Sequence, residues 1–148
     1  MRCNVLPAAG RLVWSRVVNV GPAGVRLTGP DNQEGIPLPK GRNTIGWQIG
    51  ITARPTITGG TPTYLMYALQ APLDSARVLA AMVNGGYGEL LAPGQSTVID
   101  LAADVDRVNL DLLGVEDDFD TEAAITVFVS IKELVPLVGL DECGKKGC

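Results

Sequence analysis

Residues 44–54 read T-I-G-W-Q-I-G-I-T-A-R. Ile45, Trp47, Ile49, Ile51 and Ala53 hold the odd positions, and Gly46, Gln48, Gly50, Thr52 and Arg54 the even ones. Side chains on a strand point alternately to its two faces, so this period of two gathers every large apolar group on one side. A helix would spread the same residues around its circumference, and the two interior glycines would weaken it. The stretch therefore reads as a central strand with one dry face and one small, polar face. The glycines leave room on the second face for a close neighbour, either a loop of the same chain or another subunit. A strand this apolar requires an opposing layer.

Outward from that strand the chain offers more of the same kind. Before it, residues 11–20 (R-L-V-W-S-R-V-V-N-V) alternate imperfectly, with Arg16 interrupting the apolar parity of Leu12, Trp14, Val18 and Val20. Gly21-Pro22 turns the chain, and residues 24–28 read as the second arm of a hairpin. Residues 29–42, with three prolines, read as a loop. After it, residues 63–71 (T-Y-L-M-Y-A-L-Q-A) are expected to pair antiparallel with the central strand. Residues 74–84 remain open between a short helix capped by Asp74 or Ser75 and a strand ending at Asn84-Gly85-Gly86. The run L-L-A-P-G-Q-S-T-V-I-D-L at 90–101 reads as a hairpin, with Pro93 and Gly94 placed for a type II turn. Val108, Leu110 and Leu112 alternate with Asn109 and Asp111, and Ile125, Val127, Val129 and Ile131 close the sheet. About eight short strands without crossover helices imply an all-β, two-layer antiparallel sandwich of jelly-roll type.

Composition agrees. The 148 residues suit one domain, here divided into an N-terminal arm (1–10), a sandwich (11–133) and a C-terminal arm (134–148). Glycine and proline together number 28, a surplus that favours many turns. No targeting segment is expected, since Val5 and Leu6 make no apolar run of signal-peptide length. The uncharged stretch 55–73 holds three prolines and a Gly-Gly pair, which excludes a membrane helix. Charge is unevenly placed: residues 1–54 carry seven cations against Asp31 and Glu34, whereas residues 55–142 carry three against fourteen acids. Dispersed cations with an acidic remainder are a poor match to nucleic acid. Either the charges simply fall on solvated faces, or unlike-charged regions of neighbouring copies meet.

Chemistry is harder to find. The chain has no histidine, which removes the Ser-His-Asp and Cys-His arrangements and the commonest metal ligand. The acidic run 116–122 (E-D-D-F-D-T-E) offers oxygen ligands but lacks the spacing of a calcium loop, and a solvated turn explains it more simply. No catalytic residue, metal site or cofactor is assigned. Cys3, Cys143 and Cys148 all fall in the arms; three cysteines without histidine do not make a structural zinc site. They are either free thiols or disulfide partners, within the chain or between chains. Trp14, Trp47, Tyr64, Tyr67 and Tyr87 raise the alternative of a carbohydrate-binding jelly-roll module, although the parity of Trp47 puts it in the core.

The C-terminal arm carries the interaction candidates. Leu134, Val135, Leu137, Val138 and Leu140 put five aliphatic side chains in seven residues. Pro136 lacks the N–H that a central ladder needs, so the segment is expected as an edge strand or an extended arm, laid on the chain's own sandwich or, as favoured here, on a neighbouring subunit.

The hairpin at 90–101, followed by V-D-R-V-N-L-D-L-L and A-A-I-T-V-F-V-S-I-K, resembles small β-sandwich virion proteins of tailed phages, the capsid cement or decoration proteins and related head or tail accessories. The resemblance covers about residues 44–132 in style and transfers no functional residue. It implies a non-enzymatic partner of other protein subunits, a homo-oligomer that clamps a capsid lattice in the virion after assembly in a host cytoplasm, with no nucleic-acid or membrane partner.

Overall fold

The computed structural model describes residues 7–21, 23–29, 33, 35–54, 63–70, 88–116 and 125–137. Their strands are β1 (Pro7–Val20), β2 (Val25–Arg26), β3 (Ile36–Pro37), β4 (Gly46–Arg54), β5 (Thr63–Gln70), β6 (Glu89–Leu91), β7 (Ser96–Ala102), β8 (Arg107–Glu116) and β9 (Ile125–Pro136). They form two antiparallel sheets, ordered β1-β9-β4-β7 and β2-β8-β5-β6, with β3 beside β8. Apart from β2–β3 and β5–β6, consecutive strands lie in opposite layers, and this order of the two sheets makes a jelly roll. The all-β antiparallel sandwich expected from the sequence is the observed fold.

The register of β4 explains why its pattern is so clear. Trp47, Ile49, Ile51 and Ala53 are fully buried between the layers, against Leu65, Leu110 and Leu112 of the opposite sheet and beside Val127, Val129 and Ile131 of β9. The indole N–H of Trp47 donates to the Val105 carbonyl at 3.1 Å, so its one polar atom is satisfied inside the core. Ile45 departs from the expected dry face: it is 42% exposed, because the strand begins only at Gly46. Gly46 itself is needed for close approach, since a Cβ there would lie 2.7 Å from the Leu101 carbonyl oxygen on β7.

Three expected pairings are replaced. β5 does not neighbour β4; it lies in the other sheet between β8 and β6. β1 and β2 form no hairpin, because β1 pairs with β9 and β2 with β8. Around Pro93-Gly94 the turn is as expected, with Gly94 at φ 85° and Gln95 N–H bonded to the Ala92 carbonyl at 3.0 Å. It passes from one sheet to the other, however, delivering β6 to β5 and β7 to β4. The 29–42 region also contributes β3, whose Ile36 is buried.

The alternation of β8 is not a dry face against a wet one. Asn109 and Asp111 are as fully buried as Val108, Leu110 and Leu112. Asp111 tolerates burial because Arg26, its neighbour on β2, grips it at both oxygens, Nε to Oδ1 at 2.7 Å and Nη2 to Oδ2 at 2.9 Å.

Candidate functional site

The outer face of the β1-β9-β4-β7 sheet is built by the positions that alternate with the core. Register sets them in rows. One row runs Val17, Phe128, Thr52 and Ser96; the next runs Ser15, Ser130, Gly50 and Val98. Val17 and Val98 are 63% and 59% exposed, and Phe128 lies open beside Val17. Thr52 and Ser96 spend their hydroxyls on each other at 2.9 Å. Gly50 keeps the middle of the face low, with the Ser130 hydroxyl beside it. Charges stand in the rows that flank these two: Arg54 beside Thr126 on one side, and Lys132, Gln48 and Asp100 together on the other. The centre is therefore uncharged, shallow and partly apolar, as a surface that docks on another protein should be. The polar, glycine-bearing side of residues 44–54 is the side that faces outward here.

β1 shows how the sheet edge is treated. Arg16 pairs with Val129 and so has the inward parity, yet it is exposed and its guanidinium sits 5.4 Å from the centroid of the Trp14 ring. An inward-parity charge and the irregular register between Ala9 and Trp14 both discourage another strand from adding to this edge. The interruption by Arg16 seen in the sequence thus has a structural meaning.

The strands of both termini meet at one corner, where Pro7 pairs with Pro136. Leu134 and Val135 belong to β9 and Leu137 follows it; all three are half-buried. Leu134 is held on its other side as well, accepting a hydrogen bond from Ile45 N–H at 2.8 Å. Just inside this corner, the Glu133 carboxylate accepts from the Thr44 hydroxyl at 2.9 Å and faces the Arg11 guanidinium at 3.4 Å. The Thr44 bond first, and Arg11 with it, hold the Glu133 carboxyl below its ordinary pKa, against a smaller opposing effect of desolvation. Thr44 in turn accepts from Gly41 N–H at 2.8 Å, and Arg11 donates to the Pro39 carbonyl at 3.1 Å. These contacts fasten the 39–44 loop to the ends of β1 and β9. Val138, Leu140, Cys3, Cys143 and Cys148 lie outside the described residues, as do Tyr87, residues 74–84 and residues 117–122.

Elsewhere, Tyr67 donates its hydroxyl to Glu89 Oε2 at 2.8 Å beside a recess of about 450 Å3 lined by Leu69, Gly88 and Ile99. Burial first, and the hydrogen bond to Glu89 next, raise the tyrosine pKa above its ordinary value. No three Asp, Glu, Cys or His side chains converge among the described residues. Among the described residues, three aromatics of the carbohydrate alternative do not form an open platform: Trp47 and Tyr67 are buried, and Trp14 packs partly on the core under Arg16. No described helix is long and apolar enough to cross a membrane.

No family model and no curated protein matches the chain. Among solved structures it is similar to a chain of the Bacillus endospore appendages, described as a family of disulfide-linked pili, at 12% identity and a TM-score of 0.38 over 93% of this chain and 92% of that one. It is also similar to a chain of mud crab tombus-like virus, at 11% identity and a TM-score of 0.38 over 93% of this chain and 83% of that one.

Proposed function

We propose that this chain is a non-enzymatic structural subunit that joins other protein subunits through the outer face of the β1-β9-β4-β7 sheet. The observation that carries this reading is the uncharged centre of that face, where Val17, Phe128 and Val98 stand exposed around Gly50. A sheet face with no binding role is ordinarily covered with charge, whereas here the charges are confined to the flanking rows. In its finer form the proposal is a capsid cement protein of a tailed phage, carried in the virion and bound to a protein shell without contacting nucleic acid or membrane. The half-buried Leu134, Val135 and Leu137, with Val138 and Leu140 beyond them, extend the contact at the corner where the termini leave, and Cys3, Cys143 and Cys148 would lock it under oxidising conditions.

The test introduces charge on the face. Val17→Glu with Val98→Lys should leave the thermal unfolding of the protein almost unchanged, because both side chains are already more than half exposed. Light scattering should then show the loss of its oligomer, and sedimentation the loss of its attachment to purified empty phage shells. An oligomer and a shell complex that both survive the two substitutions would remove the face from the assembly.

A further inference from the structure

The β4–β9 ladder ends at Gly46 opposite Leu134, so Val135 and Pro136 continue beside β1 alone while the 39–44 loop curls away. The gap is a recess of about 400 Å3 walled by Arg11, Arg42, Asn43, Glu133, Val135 and Pro136. We infer that this recess receives the acidic tail segment Leu140-Asp141-Glu142 of a second copy of the chain. The inference rests on the assembly reading above and names a contact separate from the sheet face.

Charge decides the class of ligand. The one carboxylate in the wall, Glu133, is already engaged by Thr44 and Arg11. Arg42 is exposed and holds neither a hydrogen bond nor an ion pair with another described residue, and exposed Lys40 stands two positions before it. The opposite wall, Val135 and Pro136, is apolar. A fitting occupant carries carboxylates next to an aliphatic side chain. The chain holds such a sequence, V-G-L-D-E at 138–142, beginning two residues past the recess wall. From Leu137 to Glu142 the extended chain spans up to about 17 Å, enough to reach a neighbour docked at the same corner.

Position decides the source. Val135 and Pro136 at the end of β9 themselves wall the recess, so a segment starting at 138 would have to turn straight back on them to put Asp141 and Glu142 into the recess of its own copy. Two copies meeting corner to corner each offer a tail to the other's recess, so both contacts close in one two-fold pair. Lys40 and Arg42 of one copy then meet Asp141 and Glu142 of the other, with Lys145 and Lys146 lying beyond the contact.

The experiment uses the full-length chain under reducing conditions, with self-association followed by light scattering over a concentration series. Arg42→Glu should weaken association at least about tenfold, and the double substitution Asp141→Lys with Glu142→Lys should do the same. Mixing the two variants should restore association, because each supplies the partner the other lacks. If neither variant alters the oligomer, the inference is overturned while the sheet-face reading stands. If each weakens it and mixing restores nothing, the tail does not cross between copies and the inference fails. A wild-type protein that stays monomeric at every concentration overturns both this contact and self-assembly through the face.

Discussion

Trp47 is the residue on which most of the fold converges. It is fully buried, central in the β1-β9-β4-β7 sheet, and its indole N–H is bonded to the β7–β8 connection through Val105. Trp47→Ala should therefore cost about 3–5 kcal/mol, read as a lower denaturation midpoint in urea with an unchanged slope. A near-native midpoint would mean that the ring is not where the register puts it. The same strand shows what alternation conveys and what it omits. Parity alone places Trp47, Ile49, Ile51 and Ala53 correctly, because β4 is flanked on both sides and covered above. It misplaces Ile45, since parity carries no information about where a ladder starts. It also leaves Asp111 as a polar-face residue, because the Arg26 that neutralises it lies 85 positions away in sequence.

At the level of elements, the strands are legible in the sequence and their partners are not. Hairpin reasoning assumes that strands close in sequence pair with each other, and in a jelly roll most consecutive strands sit in opposite layers. The Pro93-Gly94 turn makes the point: its residues specify the turn geometry and not which strands it joins. The candidate site is only partly legible. The glycine-bearing face of β4 can be read as open to a neighbour, but Val17, Phe128 and Val98 become one surface only through the pairing of β1, β9, β4 and β7. The boundary of the C-terminal arm is likewise a matter of pairing. Leu134 is bonded to Ile45, and Val135 and Pro136 lie opposite Ala8 and Pro7. Removing residues 138–148 should leave thermal unfolding close to that of the full chain. Removing residues 134–148 should lower it clearly, since it also strips the end of β9 from both neighbours. Equal melting curves for the two truncations, followed by circular dichroism, would show that this end of the ladder contributes nothing.

For the whole molecule, the distribution of charge is the feature that composition reveals and the fold makes usable. The basic first third supplies β1 through β4, including the exposed Lys40 and Arg42, while the acids concentrate in the remainder. Contacts between copies should accordingly be salt-sensitive. Raising ionic strength from about 0.05 M to about 0.5 M shortens the screening length to a few ångströms and should shift the oligomer toward monomer in light scattering. An assembly indifferent to salt would leave the apolar sheet face as its entire basis.

The rung between Pro7 and Pro136 has a mechanical meaning. Because β1 and β9 are antiparallel neighbours, tethers drawn apart from this corner load the ladder at its first rung only. The hydrogen bonds then break in succession toward Val20 and Ile125, as in a zipper, and never share the load as they would in shear. A molecule held by both ends is consequently weak against forces that separate its tethers and strong when both are pulled in the same direction, which makes this corner a single anchorage and the sandwich behind it an unstressed body.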